Sequence, residues 1–260
     1  MRFSQTNEWG LEPVLALGID LGGSGFRIGC FDVDSGELHG SLLTHQHGAS
    51  LHPEHVLPSL VNVLGSMRWC GPIGMGFPGA VEGNQILTAP NLGEAWCTAP
   101  IEETLRPFSN GQFVMVNDAD AVAEGERVFG HGHDHHDCVL TLTVGTGLGT
   151  TVHKHGRMVP NLEYGRWPHP SRGGLLEEHL SGRARTREGL SIEAWCERFQ
   201  EGLDVLENEV QPTLIIVYGG IMEHWSVMEP LLNTRATLVP AQLTSTAGPL
   251  GAAWLARQQA

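Results

Sequence analysis

Short apolar runs alternate with glycine-rich turns along this 260-residue chain. The first run, Val14 to Ile19, ends in Asp20-Leu-Gly-Gly-Ser-Gly25, and the residues from Phe26 to Val33 have the composition of a strand. Asp34-Ser35-Gly36 is a turn signal, after which a further strand is predicted from Glu37 to Leu43. The pattern therefore predicts a strand, a glycine loop and a hairpin.

The same pattern returns about 125 positions later. An apolar, β-branched run from Val139 to Val144 ends in Gly145-Thr-Gly-Leu-Gly-Thr150, and Thr151 to His153 continues as a strand. His155-Gly156 is a turn signal, and a strand resumes from Arg157 to Val159. Two halves that open alike predict a duplicated α/β architecture, with two domains flanking a cleft.

The segments around the two loops complete the predicted elements. Helices are expected from Pro53 to Trp69 and from Ala119 to Phe129, and strands from Ile73 to Phe77 and from Phe113 to Val116. The second half adds a helix capped by Ser191, with an apolar stripe that we interpret as core, a strand from Leu214 to Val217, and a closing helix from Gly248 to Arg257. We predict a smaller N-terminal domain over 1–116, joined by the C-terminal helix 247–260, and a larger domain over 117–246.

Composition narrows the class of protein without changing the fold prediction. The chain is 41% hydrophobic and 17% charged, it has no apolar run near the ~20 residues that span a bilayer, and Met1 to Trp9 lacks a secretory pattern. The five cysteines, at 30, 70, 97, 138 and 196, are odd in number and include no Cys-x-x-Cys. We therefore expect a cytoplasmic protein with no membrane partner, no disulfide scaffold and no structural zinc.

The net charge of −14 argues against a nucleic-acid partner, because phosphate binding needs basic surface. Seven of the 15 basic residues nevertheless lie between Lys154 and Arg187, where only three acidic residues oppose them, a local balance of +4. Two interpretations remain open for this segment: an ordinary solvated face, or a local field for an anionic substrate.

The two glycine loops have the chemistry of phosphate sites. Glycine lets backbone N–H groups approach an anion closely, and a carboxylate at the strand end, Asp20, can hold a phosphate-bound Mg²⁺ through water. One such loop is as readily a tight hairpin, but two in repeated settings favour a bipartite phosphate clamp. Neither loop fits the Walker or the dinucleotide pattern. The candidate phosphate-binding residues are Asp20, Gly22, Gly23, Ser24, Gly25, Arg27, Gly145, Thr146, Gly147 and Gly149.

Asn117-Asp118-Ala119-Asp120 follows a predicted strand and precedes a predicted helix. A carboxylate in this place can accept the proton of an attacking hydroxyl in phosphoryl transfer, and the amide of Asn117 can orient a sugar. Taken alone, the segment is better explained by a helix N-cap. Asp118 is the candidate base, because Asp120 would lie inside the first helical turn, where a carboxylate is stabilising anyway.

Four further segments carry weaker signals. Asn91 has the chemistry for a sugar hydroxyl, or forms the turn after Pro90. Glu163 and Glu177 can bind vicinal hydroxyls, or are surface charges. The histidine-rich stretch from Gly130 to Asp137 invites a metal hypothesis, but a solvated loop is the better explanation between a helix and a strand.

Together these segments resemble the repressor/ORF/kinase (ROK) sugar-kinase family, and within it the polyphosphate glucokinases. The resemblance runs from about Ala16 to Ala256. It rests on the two glycine loops and on the following motifs: Gly76-Phe-Pro-Gly-Ala-Val81, Thr88-Ala-Pro-Asn91, Asn117-Asp-Ala-Asp120, Val159-Pro-Asn-Leu-Glu163, Arg185-Thr-Arg-Glu-Gly-Leu-Ser191 and Val239-Pro-Ala-Gln-Leu243.

The resemblance implies an actin/hexokinase-like (ribonuclease H-like) fold and phosphoryl transfer to the 6-hydroxyl of a hexose such as glucose. It implies Asp118 as base, Mg²⁺, and polyphosphate or ATP as donor. Family members are commonly homodimers. The resemblance implies that the sugar is contacted by Asn91, Asn117, Glu163 and Glu177, and by the residue at position 166, here Arg166. It implies that the nucleotide lies beside Gly219 and Gly220.

Two departures from the family pattern bear on the substrates. Arg166 stands where the family has a histidine that contacts the sugar, and Tyr218 stands where it has the first of three glycines. The zinc motif of many relatives is missing, and no helix-turn-helix pattern precedes Ala16. Two alternatives to a glucokinase therefore stay open: a kinase for a different hexose, and a catalytically impaired sugar- or anion-binding protein of the same fold.

Overall fold

The computed structural model describes residues 13–258, so the segment Met1 to Trp9 considered above lies outside the described residues. The chain divides into two compact units: the first runs through Gly125 and resumes at Ser245, and the second spans Glu126–Thr244. The domain limits inferred from the sequence, with a division at 117, stay a prediction. No helix among residues 13–258 combines the length and the hydropathy needed to cross a membrane.

The elements of the first unit follow the predicted order. Its strands are β1 (Leu15–Leu21), β2 (Gly25–Asp32), β3 (Leu38–Gln46), β4 (Ile73–Phe77), β5 (Val81–Glu82), β6 (Gln85–Ile86) and β7 (Phe113–Asn117). Its helices are α1 (Pro53–Met67), α2 (Ile101–Ser109) and α3 (Asp118–Phe129), which contains the boundary between the units, together with the C-terminal helix described below.

The second unit, all of which lies within the described residues, contains five strands and four α-helices. Its strands are β8 (Cys138–Val144), β9 (Leu148–Lys154), β10 (Arg157–Val159), β11 (Leu214–Tyr218) and β12 (Thr237–Pro240). Its helices are α4 (Leu176–Leu180), α5 (Gly182–Glu188), α6 (Ile192–Val210) and α7 (Trp225–Met228). The final helix, α8 (Ala247–Gln258), belongs to the first unit.

Each unit contains one five-stranded sheet, and the two sheets have the same topology. The strand orders are β3-β2-β1-β4-β7 and β10-β9-β8-β11-β12. In both sheets the first three strands pair antiparallel and the last two join in parallel. The predicted duplication of an α/β unit is therefore confirmed.

Close packing of α8 on the first sheet explains two glycines in its central strands. A Cβ on Gly18 of β1 would lie 1.7 Å from the carbonyl oxygen of Pro249, and one on Gly74 of β4 would lie 1.7 Å from that of Ala252. Leu17 and Ile19, whose side chains point to the opposite face of β1, are fully buried in a core that includes Leu60 of α1. The sheet therefore holds the helix at backbone distance, which sets the position of the first turn of α8.

The apolar stripe of α6 forms the core of the second unit, as the sequence predicts. Ser191 caps the helix by accepting the Ala194 N–H at 3.2 Å. Trp195 and Phe199 stack with ring centroids 4.6 Å apart, and both are fully buried, as are Leu203 and Leu206.

Several element ends differ from the prediction, among them those of β1 and α1. β1 continues through Asp20 to Leu21, so Asp20 lies inside the strand and pairs in register with Arg27. α1 ends at Met67 because Arg68 takes a left-handed conformation, with φ of 52°, and closes the helix through its backbone N–H.

Candidate active site

The carboxylates of Asp20 and Asp118 lie at one edge of the first sheet. Asp20 is paired in register with Gly76 on the parallel strand β4, and Phe77 is paired with Asn117 on β7. Parallel strands bring their carboxyl ends to the same edge, the usual place for a ligand site in such sheets. A Cβ on Gly76 would lie 3.4 Å from Cα of Asp118, so the neighbouring strand leaves room for the start of α3.

Asn117, and not Asp118, caps α3. Its Oδ1 accepts the N–H groups of Ala119 at 2.8 Å and Asp120 at 3.1 Å. Its Nδ2 donates to the carbonyl oxygen of Gly79 at 3.1 Å. The capping explanation for this segment is thus satisfied by Asn117, which leaves the Asp118 carboxylate available for another role.

Asp118 is a half-buried carboxyl whose pKa is raised. Burial raises the pKa of Asp118 to about 7, and the nearby Asp20 carboxylate adds to the rise. The Oδ1 atom accepts the Ala119 N–H at 2.9 Å, which lowers the pKa by a smaller amount. A carboxyl that titrates near neutral pH is suited to take and release a proton.

Asp20 is buried, at 9% exposure, and forms an ion pair with Arg27. Burial raises the pKa of the Asp20 carboxyl, and the Arg27 guanidinium partly offsets the rise. Arg27 also donates to the carbonyl oxygen of Ser245 at 3.3 Å. A Cβ on Gly248 would lie 3.2 Å from Cγ of Asp20, so the first turn of α8 borders the carboxylate.

The first glycine loop is a tight turn with an exposed tip. The Gly22 N–H donates to the Gly25 carbonyl oxygen at 2.8 Å, and Gly23 and Ser24 are exposed. Gly25 is required for packing, because a Cβ there would lie 2.1 Å from the carbonyl oxygen of His45.

His47 holds this loop by two bonds that sequence reasoning missed. Its ring Nε2 donates to the Gly22 carbonyl oxygen at 2.9 Å, and its backbone N–H donates to that of Ser24 at 3.0 Å. A histidine just after a predicted strand carries no local signal for this role. The loop and the end of β3 enclose a cavity of about 230 Å³ that Asp20 borders.

Asn91 occupies an exposed position in the first unit, on a segment tied to Asn117. A Cβ on Gly79 would lie 1.9 Å from the carbonyl oxygen of Thr88, and the Thr88 hydroxyl accepts the Ala80 N–H at 3.1 Å. Because Gly79 also accepts from Asn117, the Gly76–Val81 and Thr88–Asn91 motifs are held to the start of α3.

The second glycine loop lies beside the N-terminus of α5. The Gly145 N–H donates to the Gly147 carbonyl oxygen at 3.1 Å, and the Gly145 carbonyl oxygen accepts the Arg183 N–H at 3.2 Å. A Cβ on Gly147 would lie 3.1 Å from Oε2 of Glu177. The second unit therefore brings together the Gly145–Gly149 loop, with Thr146 exposed at its tip, and the candidate sugar residue Glu177.

Glu163 precedes a single 3₁₀ turn, Tyr164–Arg166, which ends at Arg166 and is hydrogen-bonded to β9. Thr150 accepts the Tyr164 N–H at 3.1 Å and donates to the Leu162 carbonyl oxygen at 2.8 Å. Both Glu163 and Arg166 are exposed. The turn thus places the two side chains at the surface of the second unit, near the strand that follows its glycine loop.

Gly219 and Gly220 also adjoin this loop. Gly219 has φ of 124°, and a Cβ there would lie 2.1 Å from the carbonyl oxygen of Val144, the residue before Gly145. Gly220 is exposed, with nothing within 4 Å of a Cβ built on it, and Tyr218 is half-buried at the end of β11. Glycine at 219 is therefore explained by its positive φ together with the close approach of Val144.

The basic segment from Lys154 to Arg187 is partly neutralised by glutamates outside it. Arg172 pairs with Glu201 at 2.5 Å, and Arg187 pairs with Glu188 at 2.8 Å. These pairs reduce the field that the +4 balance suggests for an anionic substrate, and they favour the interpretation as a solvated face.

The histidine-rich loop makes local contacts. His131 donates from Nδ1 to the Pro240 carbonyl oxygen at 2.8 Å, and His133 contacts Asp134 at 3.1 Å. Across residues 13–258 no group of three or more His, Cys, Asp or Glu side chains is placed to hold a metal ion.

Comparisons with a family profile, with individual proteins and with solved structures all find ROK proteins or sugar kinases. The profile described as ROK family matches residues 16–161. Polyphosphate glucokinase from Mycobacterium tuberculosis is 36% identical over 241 residues, which cover 91% of this chain and 89% of that protein. Glucokinase from Streptomyces coelicolor is 25% identical over 317 residues, with 94% and 98% coverage. Inorganic polyphosphate/ATP-glucomannokinase from Arthrobacter sp. strain KM has a TM-score of 0.86 at 30% identity and covers 95% of this chain and 99% of its own.

Proposed function

The chain belongs to the ROK family, among its sugar kinases of actin/hexokinase-like fold, and from that premise we propose that it phosphorylates the 6-hydroxyl of a hexose with Asp118 as general base. The observation that carries the proposal is the edge of the first sheet. There a carboxyl with a pKa near 7 lies beside a second carboxylate and a glycine loop. The names of the relatives favour glucose as the acceptor.

The proposed step is in-line phosphoryl transfer. A bond forms between the sugar O6 and the terminal phosphorus, and the bond from that phosphorus to its bridging oxygen breaks. The electron pair leaves with ADP or with the shortened polyphosphate, and the hydroxyl proton passes to Asp118. The backbone N–H groups of the two glycine loops are proposed to stabilise the charge on the transferred group.

The residues near Asp20 fit a Mg²⁺ ion that is held through water. Mg²⁺ is usually bound by one or two carboxylates and keeps several waters, with substrate phosphates as further ligands. Burial raises the pKa of Asp20, and a cation would offset that cost of burying its charge. When bound, Mg²⁺ would neutralise negative charge on the donor.

Five residues are proposed to contact the sugar: Asn91, Asn117, Glu163, Arg166 and Glu177. Glutamate accepts two hydroxyl protons at once, and the second N–H of the Asn117 amide can donate to an oxygen. Arg166 donates only, so it favours an acceptor oxygen on the sugar where a histidine would both donate and accept. Arg166 is therefore the position at which we expect a preference among hexoses to arise.

Polyphosphate and ATP are both proposed as donors, since the relatives include polyphosphate glucokinases and a polyphosphate/ATP-dependent enzyme. On the nucleotide side Gly219 and Gly220 are proposed to adjoin the donor, and the Tyr218 side chain precedes them. Because members of the family are commonly homodimers, we also propose that this protein is a homodimer.

The test is a matrix of hexoses against ATP and polyphosphate, read out as phosphorylated sugar with Mg²⁺ present. Glucose 6-phosphate formed with either donor is the expected result. Calorimetric sugar binding with no turnover for any pair would instead support the sugar-binding protein that has lost catalysis, the alternative that Arg166 and Tyr218 motivate. Turnover of a different hexose would keep the kinase and change its substrate.

A further inference from the structure

The cavity beside the first glycine loop is lined on one side by that loop and on the other by the end of β3. The loop and β2 supply Gly22, Ser24, Gly25, Phe26 and Arg27, with Asp20 at the base, and the end of β3 supplies Thr44, His45 and Gln46. Its volume of about 230 Å³ equals that of about eight water molecules in the liquid. The space therefore holds a group larger than a single ordered water.

Several polar side chains around this cavity make no hydrogen bond to another described residue. Within residues 13–258 the side chains of Ser24, Thr44 and Gln46 and the ring nitrogens of His45 make no hydrogen bond to another described residue. Hydroxyl and amide groups can donate, and Thr44 and Gln46 lie on the face of the sheet that carries Asp20 and Arg27, so their donors converge on one cavity and suit an anion or a polyhydroxy ligand. Asp20 is the acidic member of the lining, and it is paired with Arg27.

His45 is held in place by packing. Its ring stacks on Phe26 with centroids 4.6 Å apart and planes 18° from parallel. Successive side chains of a strand alternate between the two faces, so the His45 ring lies with Phe26 on the face opposite Thr44 and Gln46. The ring is therefore not available to stack on a base beside Thr44 and Gln46, and the wall suits a phosphate chain better than a nucleoside.

We propose that Thr44 and Gln46 form a subsite for the phosphate groups of polyphosphate that lie beyond the transferred one. The inference rests on the proposed kinase function, because it takes the Asp20–Gly25 loop as the place of the reacting phosphate. Asp20 borders both this cavity and Asp118, so a chain that lies along β3 would reach the transfer site with its terminal group. The subsite is specific to polyphosphate, because the nucleoside of ATP has no apolar surface to occupy there.

The test is the double variant Thr44→Val/Gln46→Ala. Valine keeps the β-branched shape of Thr44 and removes its hydroxyl, so the fold of the hairpin is retained. We expect the KM for polyphosphate to rise at least about tenfold, as loss of one or two hydrogen bonds to charged oxygens implies, while the KM for ATP changes less than about twofold. Ser41→Ala, exposed on the same strand and outside the cavity, is the matched control and should leave both KM values unchanged.

Direct binding separates failure of this proposal from failure of the kinase function. Calorimetric titration with tripolyphosphate needs no turnover, and binding to the wild type should weaken about tenfold in the double variant. An unchanged KM for polyphosphate, an equal rise for both donors, or tripolyphosphate binding that is absent from the wild type or unaffected by the variant would overturn the subsite. If the wild type is inactive with every donor but still binds tripolyphosphate more tightly than the double variant does, the kinase function alone would be overturned.

Discussion

The two glycine hairpins have the same topology and differ in what surrounds them. Each joins the central strand of a five-stranded sheet to its antiparallel neighbour. In the first unit a carboxylate, Asp20, lies two residues before the loop, whereas Thr143 occupies that place in the second. The first loop is held by a side chain, that of His47, and the second by the backbone of α5 at Arg183.

The comparison shows that the two units share a strand topology without sharing the candidate catalytic residues. Pairing and burial impose the same strand order on both halves, but only the first places two carboxylates, Asp20 and Asp118, at the same sheet edge. The proposed base therefore belongs to the first unit, and the second contributes the Gly145 loop together with the candidate sugar residues Glu163, Arg166 and Glu177.

The largest expected effect is that of Asp118→Asn, which removes the proposed base and leaves the shape of the side chain. We expect kcat to fall ~10²–10⁴-fold, with sugar affinity kept, because proton acceptance is lost in the transition state alone. The measurement is steady-state kinetics together with calorimetric sugar binding. Asp120→Asn, in the same helical turn, is the control, and its kcat should stay within a few-fold of wild type. A near-wild-type kcat in Asp118→Asn would show that Asp118 is not the base.

The packing of the first loop is tested by Gly25→Ala against Gly23→Ala. A Cβ on Gly25 meets the His45 carbonyl oxygen, whereas nothing lies within 4 Å of one on Gly23. We expect Gly25→Ala to cost about 3 kcal/mol of the free energy of unfolding and Gly23→Ala less than about 1 kcal/mol. Chemical denaturation measures both, and equal losses would contradict the close approach. The first residue of β9, Leu148, tolerates a side chain, so this constraint distinguishes the first hairpin from the second.

The pH dependence of kcat/KM tests the environment of Asp118. A base must be ionised, so with a pKa of about 7 the rate should fall about tenfold for each pH unit below 7 and level off above it. An acidic limb with a midpoint near 4 would show that burial and Asp20 do not act on this carboxyl. The same raised pKa predicts that the charge of Asp118 destabilises the fold as pH rises from about 4 through 7, since the folded state binds its proton more tightly.

The smallest expected effect comes from the support of the second loop. Ser181 caps α5 by accepting the Ala184 N–H at 3.2 Å, and Ser191 caps α6 by accepting that of Ala194 at the same distance. Each serine-to-alanine change should cost about 1 kcal/mol of stability. Only Ser181→Ala should also raise the donor KM, by about twofold, because α5 contacts Gly145. A matching rise in Ser191→Ala would mean that the effect is not local to the loop.

Residue patterns predicted most of the elements because strands and helices are encoded locally. The repeated strand–glycine loop–hairpin identified the duplication, and the spacing of apolar residues in α6 identified its buried face. The roles of Asn117 and His47 were not predicted as the structure has them. An Asn-Asp pair before a helix offers two possible caps, and only the bonds to Ala119, Asp120 and Gly79 show that Asn117 is the one.

The sequence by itself determined the family, the order of the elements and the short set of residues in which a base could be found. Those signals are short-range or lie in motifs, so they survive without coordinates. Only the tertiary structure decided that Asp20 and Asp118, far apart in the chain, are neighbours at one sheet edge. The pKa of Asp118 follows from that proximity and from burial, both of which depend on how strands β1, β4 and β7 pair.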